Sequence, residues 1–349
     1  MDGAEPVGGR WNFDTENRQP PPKRRTLGVP EPWRATEDDI DAEMGSDLDR
    51  WERDGDVAFV GRDGPRWAPV TRTEAVAALE RFLTARLPTF GPWEDAMLTA
   101  DPVLSHSVLS PALNLGLLDP MECVRAAELE YRAGRVPIAS AEGYVRQVLG
   151  WRDYVWHIYW HAGPTYRSRN ALDATTPVPD WLWDLDGNAV TARCLSTVLQ
   201  RLSRYGWTHH IERLMVLGNY GLQRGLDPAE LTAWFHASFL DGYAWVMLPN
   251  VVGMSQHADG GLMATKPYAA GGAYLNRMSD FCAECRYSPT VRLGENACPF
   301  TAGYWAFLDR NEARLAGNRR LTQPFAGLRR LPDRHAVAAA EASRGTAPP

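Results

Sequence analysis

The sequence has few cysteines and no long apolar run, and these two shortages exclude several classes of protein. Its 349 residues include five cysteines, an odd and low number that argues against a disulfide-stapled secreted scaffold. No apolar stretch reaches the ~18 residues that a membrane span requires, since Pro249 and Asn250 interrupt an especially apolar segment. The N-terminus lacks the basic and apolar segments of a secretion signal. We therefore expect a cytoplasmic protein without a membrane segment.

Positive charge is also scarce overall, although it is unevenly distributed. The chain has 37 Lys and Arg against 43 Asp and Glu, a net charge of −6, which excludes a generally basic nucleic-acid coat. Residues 191–349 hold 17 basic and 12 acidic residues, a net of +5, so residues 1–190 hold 20 and 31, a net of −11. A solvated acidic half and a mildly basic face that meets phosphate both explain this asymmetry. The 14 tryptophans indicate packing, stacking on a flat ligand or redox chemistry.

No convincing alternating strand pattern is present, and the helix signals predict an all-α fold class. Helices are expected to begin at a capping box formed by Thr71 and Glu74, and at the Asp-Pro pairs of Asp119 and Asp227. Amphipathic spacing predicts helices over 141–160, 191–205, 208–223, 229–244 and 300–316. The composition predicts three regions: a linker and loop region at 1–69, a helical domain at 70–324, and a disordered tail at 325–349.

The most specific chemical pattern is formed by cysteines. Cys282 and Cys285 are three residues apart, which suits one corner of a metal site, and Cys298 followed by proline adds a third thiol. A fourth ligand would come from Cys123 or Cys194. Zinc would use the same ligands, whereas the Cys-Pro ending and the absence of a second tight pair favour an iron–sulfur cluster. The remaining alternative is a set of buried cysteines without a metal.

A pair of adjacent histidines is the second candidate site. Neighbouring residues on a helix point about 100° apart, so His209 and His210 cannot both be core residues unless one faces a cavity. Arg213 follows on the same predicted helix. This pattern favours a pocket in which a histidine donates a proton near neutral pH, against the alternative of an ordinary hydrogen-bonded core histidine.

Several long segments resemble one family, the iron–sulfur bacterial cryptochromes and photolyases, which are prokaryotic (6-4) photolyases. The segments are HSVLSPALN at 106–114, EGYVRQVLGWRD at 142–153, THHIERLM at 208–215, LPNVVGM at 248–254, ADGG at 258–261, KPY at 266–268, MSDFC at 278–282 and CPF at 298–300. In addition, GGRWNFDTENR at 8–18 resembles the interdomain segment of that family. The resemblance covers roughly residues 8–320.

The resemblance implies a photolyase/cryptochrome-type helical domain that binds FAD and a [4Fe–4S] cluster. By position, the implied cluster ligands are Cys194, Cys282, Cys285 and Cys298, which leaves Cys123 as an ordinary helix residue. The implied FAD-binding residues are Ser107, Leu109, Ser110, Gln147, Arg152, Arg213, Asp241 and Met247. The implied catalytic residues are His209 and His210. The implied lesion- or DNA-binding residues are Asp14, Arg18, Met254 and Tyr274. Trp183 and Trp234 match an electron-transfer chain.

The sequence departs from the family pattern in three respects. The family begins with an α/β domain that holds a ribolumazine antenna, whereas this sequence begins in the segment after it, so no antenna is expected. A fragment that folds poorly without that domain is a further alternative. Met247 stands where some relatives carry an acid beside flavin N5, and because a thioether is a weak acceptor we expect slow proton exchange there. Phe235 stands where a redox tyrosine would be expected.

The implied function is light-dependent DNA repair by a photolyase, a carbon–carbon lyase. Reduced FAD would absorb blue light and give an electron to a flipped-out (6-4) pyrimidine photoproduct, and one of the two histidines would supply a proton. The expected partner is UV-damaged DNA, and the chain is expected to be a monomer. The alternative is a cryptochrome-like photoreceptor that binds FAD without repair. The presence of His209, His210, Met254 and Tyr274 favours repair.

Overall fold

The computed structural model describes residues 3–22 and 26–349, which are organised almost entirely as helices and loops. Within these residues there is no β-strand, and strand-like pairing is limited to isolated bridges such as Ser288 with Ala297. The prediction of an all-α fold class is therefore confirmed. The chain divides into two compact units, Met1–Tyr154 and Val155–Pro349.

The first unit consists of short and medium helices that follow an irregular N-terminal segment. Its helices are α1 (Asp39–Asp54), α2 (Arg72–Ala85), α3 (Phe90–Trp93), α4 (Ser110–Asn114), α5 (Pro120–Arg132), α6 (Ile138–Val145) and the start of α7 (Arg152–Ala162). A π-helical turn joins α6 to α7, so the predicted helix over 141–160 is continuous in space.

The predicted helix starts of the first unit are confirmed, and the helices enclose an apolar core. Thr71 Oγ1 accepts the Glu74 N–H at 3.2 Å, while the Glu74 carboxylate accepts the Thr71 N–H at 3.2 Å. The Asp119 carboxylate accepts a backbone N–H at 2.7 Å where α5 begins. In the core, Phe82 of α2 packs against Tyr144 of α6 with ring centroids 4.8 Å apart.

The second unit contains longer helices in its C-terminal part. Its helices are the rest of α7, α8 (Asp180–Trp183), α9 (Arg193–Tyr205), α10 (His210–Glu212), α11 (Asn219–Arg224), α12 (Pro228–Ser238), α13 (Ala244–Leu248), α14 (Gly272–Met278), α15 (Pro299–Leu315), α16 (Thr322–Arg329) and α17 (Arg334–Arg344). The predicted Asp227 N-cap is present, with its carboxylate accepting the Ala229 N–H at 2.8 Å. Leu222 of α11 and Phe307 of α15 belong to one buried apolar cluster.

Two predictions about the ends of the chain need correction. Residues 325–349 do not form a disordered tail, because α17 buries Val337 completely and Glu341 pairs with the buried Arg224. The region 1–69 is not only linker, since α1 is a 16-residue helix with a capping box at Asp38. Alanine-rich composition suggested fraying at the C-terminal end, but tertiary contacts stabilise the helix there.

No helix within the described residues combines the length and the apolar character that crossing a membrane requires.

Candidate functional site

Three π-helical turns interrupt the helices at positions where site residues are predicted. The turns and their site residues are Arg146–Trp151 with Gln147, Arg213–Gly218 with Arg213, and Pro249–Ser255 with Met254. A π turn widens the helix locally and redirects side chains, and such turns concentrate at functional sites. The backbone is therefore irregular at sites where the sequence predicts cofactor or lesion contacts.

The residues predicted to bind FAD fall into two groups. Ser107, Leu109, Ser110, Gln147 and Arg152 lie in the first unit, whereas Arg213, Asp241 and Met247 lie in the second.

A strained turn carries three residues of the first group, namely Ser107, Leu109 and Ser110. Val108, between two predicted FAD residues, has a φ of +58°, which is costly for a β-branched residue and is typical of functional turns. The turn leads into α4, which begins at Ser110. At the other end of α4, Arg152 Nη1 donates to Asn114 Oδ1 at 3.2 Å. Burial lowers the pKa of Arg152, so an anion beside this guanidinium would stabilise its charge.

An Arg–Asp pair forms the core of the second group. Arg213 donates to both Asp241 carboxylate oxygens at 2.8 and 3.1 Å, and its Nε donates to the Thr208 carbonyl at 2.7 Å. The Arg213 guanidinium also lies 4.3 Å from the centroid of the Phe239 ring. These contacts fix both side chains, because a bidentate pair allows little rotation. Met247 on α13 is 3% exposed, which fits an apolar lining residue.

The two predicted electron-transfer tryptophans lie in different environments. Trp234 on α12 is fully buried, and its Nε1 donates to the Leu182 carbonyl at 2.7 Å, next to the half-buried Trp183 at the end of α8. The Trp234 ring contacts Phe235 at 4.9 Å between centroids, and Phe235 stacks on Phe239 at 5.3 Å. Aromatic contacts therefore run from Trp234 to Phe239, which the Arg213 guanidinium touches.

The adjacent histidines are divided between the core and the surface. His209 caps α10 and is buried, whereas His210 is exposed, and their ring centroids are 6.3 Å apart. His209 Nε2 lies 3.5 Å from the Glu212 carboxylate, which is also paired with Arg201. Loss of hydration lowers the pKa of His209, although Glu212 acts in the opposite direction. His209 is thus held in its neutral form near neutral pH.

Four of the five cysteines surround one cavity in the second unit. Cys194 lies near the start of α9, and Cys298 is the N-cap of α15. Cys282 lies on a short 3₁₀ turn, and Cys285 directly follows that turn. All four are free thiols. Burial first, and the neighbouring thiols second, raise the pKa of Cys194 well above its usual range and that of Cys282 to about 12.

The fifth cysteine lies elsewhere, in the first unit. Cys123 is a buried residue of α5, and burial raises the pKa of its thiol to about 11. The cysteine spacing left Cys123 and Cys194 as alternative fourth thiols, and the family resemblance implied Cys194. The structure groups Cys194 with the three others.

The predicted lesion-binding residues are spread over three places. Asp14 and Arg18 lie in the first unit, where Arg18 Nε donates to the Glu94 carboxylate at 3.0 Å and Asp14 pairs with Arg146 at 2.9 Å. In the second unit, Met254 lies in a π turn and Tyr274 on α14, and both are half-buried.

Spacing alone did not identify the acid–base partners of His209. Glu212 is completely buried and, although burial opposes its ionisation, Arg201 and His209 lower its pKa. The position of Glu212 three residues after His209 was a usable signal, because such residues are neighbours on a helix. Arg201 comes from α9, so no local pattern could have shown it.

Comparison with known proteins gives matches along most of the chain. A sequence model of the deoxyribodipyrimidine photo-lyase-related protein family matches residues 1–55. A protein named (6-4) photolyase from Agrobacterium fabrum is 45% identical over 331 residues, which is 95% of this chain and 64% of that protein. An uncharacterised protein of Acanthamoeba polyphaga mimivirus is 41% identical over 66 residues, 19% of this chain and 54% of its own length.

A solved structure of a bacterial class III photolyase from Agrobacterium tumefaciens is 18% identical in structural alignment. The alignment covers 75% of this chain and 56% of the class III photolyase chain, with a TM-score of 0.49.

The helical fold and the cysteine cavity therefore occur in a chain whose sequence is similar to that of a (6-4) photolyase. The chain is similar to deoxyribodipyrimidine photo-lyase-related proteins over residues 1–55 and to the Agrobacterium fabrum (6-4) photolyase along 95% of its length. The chain spans 64% of the length of that relative.

Proposed function

We propose that this protein binds FAD and a [4Fe–4S] cluster and repairs (6-4) pyrimidine photoproducts in DNA in a light-dependent reaction. The observation that carries the proposal is the 45% identity to a (6-4) photolyase along 95% of the chain. When bound, reduced FAD would supply the electron that starts repair on illumination. The remaining steps depend on how the side chains hold the cofactor, the lesion and a proton.

The residues present fit FAD. In the first unit, the turn before α4 offers serine hydroxyls and backbone N–H groups, and Arg152 adds a cation whose charge is disfavoured by burial. Such donors suit a pyrophosphate. In the second unit, the Arg213–Asp241 pair offers a fixed polar edge and Met247 an apolar one, a combination typical of sites for flat, mostly apolar cofactors.

The donor set at the cysteine cavity fits an iron–sulfur cluster. Four thiols from three separate segments line one cavity without an intervening histidine or carboxylate, and soft thiolates select such clusters or zinc. Around one zinc ion, sulfurs 2.3 Å from the metal would be about 3.8 Å apart. Among the cysteines, all of which the structure describes, no three have Sγ atoms within 4.8 Å of one another. This wider spacing favours a cluster.

The histidine geometry suggests different roles for the two imidazoles. His209 is buried, and its lowered pKa keeps it neutral, so it suits a positioning role together with Glu212. His210 is exposed beside it and is therefore the better candidate for donating a proton to a bound lesion. A positioned proton donor contributes roughly 10²–10⁴-fold to a rate.

The test is repair of an oligonucleotide that contains one (6-4) photoproduct, by the purified full chain, under blue light and in the dark. We expect repair in the light only, and a loss of at least a hundredfold in His210→Ala with FAD retained. A flavin-loaded protein that repairs nothing in the light would contradict the proposal. If its flavin nevertheless responds to light, the photoreceptor alternative is favoured.

A further inference from the structure

An aromatic patch lies exposed on the second unit, outside the residues assigned to FAD, the cluster or the lesion. It consists of Trp156, Tyr159 and Trp160 on α7 and Trp245 on α13. Trp156 lies 5.6 Å from Trp160 and 5.5 Å from Trp245 between ring centroids, and Tyr159 lies 5.3 Å from Trp160. Trp160 is 64% exposed and Trp156 is 43% exposed. Clustered rings at a surface mark an interaction site more often than single ones.

The orientation of α7 explains why these rings face water. Val155 and Ile158 form its buried side. Trp156 and Trp160 are four residues apart and therefore share a face, and His157 and His161 form a second exposed row beside them. The aliphatic side chains of α7 are thus buried in the core, whereas the indole rings of Trp156 and Trp160 are exposed to solvent.

The chain segment that carries three of the four rings has a charge that is unusual for this chain. Residues 154–172 contain no Asp or Glu, whereas the whole chain has a net charge of −6, and the carboxylate of α7 is Asp153 in its first turn. The same stretch contains Arg167 and Arg169, which lie five and seven residues after the end of α7 and are exposed. A partner that was simply apolar would leave the two exposed arginines without a role. A nucleic-acid strand would use both features of this surface, because its bases stack on aromatic rings and its phosphates pair with arginines.

We propose that the aromatic patch is a nucleobase-stacking surface for unpaired DNA, with Arg167 and Arg169 binding its phosphates. The inference depends on the proposed function, because it takes DNA as the partner, and it adds a contact surface separate from His209 and His210. Base–aromatic stacking does not select sequence, since every base has a π face. The patch would hold strand segments that are unstacked around a damaged site.

Binding of a fluorescein-labelled oligothymidylate in the dark tests the proposal, because this measurement requires neither repair nor light. We expect Trp160→Ala and Trp156→Ala each to weaken binding about fivefold to hundredfold, and Trp160→Phe to restore most of it. Arg167→Gln should reduce the salt dependence of binding. The matched control is Trp51→Ala, a 36% exposed tryptophan on α1, whose residues 39–54 carry seven carboxylates and two arginines. It should bind like the parent protein.

The outcomes separate this inference from the proposed function. Unchanged DNA binding in both alanine variants would overturn the stacking surface even if repair proceeds normally. A change from dimer to monomer in Trp160→Ala, with DNA binding intact, would also overturn it and identify a self-association surface. Tryptophan-dependent binding by a protein that repairs nothing would support the surface and contradict only the proposed repair.

Discussion

Cys194 brings α9 to the three other thiols of the cavity, which come from residues 282–298. Because it is distant in sequence, it would close the long loop between these segments once a cluster forms. Binding energy at such a site is also folding energy, since the site does not exist in the unfolded chain. Cys194 is therefore the proposed ligand whose loss tests both the proposed cluster and the fold of the second unit.

Replacing Cys194 with Ser should abolish iron binding and lower solubility. The measurement is iron and sulfide content per purified chain, together with the soluble fraction. Cys123→Ser is the matched control, because this thiol is equally buried but lies in the first unit, and it should keep full iron content. A soluble Cys194→Ser protein with four irons per chain would contradict the ligand assignment.

The buried His209 should make stability depend on pH. Loss of hydration lowers its pKa in the folded protein, whereas the unfolded chain has an ordinary value of about 6.5. Below that value the unfolded chain binds more protons, so stability is fully present above pH ~6.5 and is lost as the pH falls toward the folded-state pKa. We expect this residue alone to account for up to ~1 kcal/mol between pH ~7.5 and ~5.5.

Denaturant unfolding of His209→Gln at these two pH values checks this expectation. The variant should lose part of the pH dependence and retain another part, because burial also lowers the pKa of His257. The exposed His236, changed to Gln, should behave as the parent protein does. Equal slopes in the parent and in His209→Gln would show that His209 titrates alike in both states.

At the scale of elements, α17 is packed against the rest of the second unit although its alanine-rich composition predicted a disordered tail. Glu341 on α17 pairs with Arg224 of α11, and both side chains are 4% exposed. Beyond the helix, the Thr346 carbonyl accepts the Trp181 indole N–H at 2.8 Å. These contacts connect the end of the chain to α8 and α11, so the last 16 residues contribute to the core of the second unit.

Replacing Glu341 with Gln should destabilise the second unit by about 3 kcal/mol, because it leaves the buried Arg224 without its counter-charge. Denaturant unfolding measures the effect. The control is Asp173→Asn, which breaks an ion pair with Arg314 whose side chains are 69% and 42% exposed, and it should cost less than about 1 kcal/mol. Similar losses in the two variants would show that α17 docks through apolar contacts alone.

At the scale of the whole molecule, the chain divides into two compact units, and the cysteine cavity belongs to the second. The cavity joins the start of α9, the 3₁₀ turn at Phe281–Glu284 and the start of α15. A cluster there would link segments that are distant in sequence within one unit, whereas α2, α5 and α6 form the core of the other unit without it.

Removal of iron by a chelator under reducing conditions should therefore affect the units unequally. We expect backbone amides of α9, residues 281–285 and the start of α15 to lose hydrogen-exchange protection, while α2 and α5 keep theirs. Hydrogen–deuterium exchange before and after chelation provides the measurement. Uniform loss of protection over both units, or none in α9, would contradict a structural role for the cluster confined to the second unit.

The sequence by itself determined the features that arise within a few residues of chain. The capping box of Thr71 and Glu74, the Asp119 and Asp227 helix starts and the all-α class all follow from local hydrogen bonding and periodicity. The Cys282–Cys285 pair was equally visible, because its two thiols belong to one turn. The family resemblance then implied roles for residues far apart in sequence, such as Arg213 and Asp241, which no local pattern connects.

Only the tertiary structure decided the partners that come from distant segments. It placed Arg201 against Glu212 and docked α17 through the pairing of Glu341 with Arg224. It also buried His209 while exposing His210. The physical reason is that burial and charge pairing depend on which surfaces meet when the chain packs, and residues near in space but far in sequence leave no local pattern.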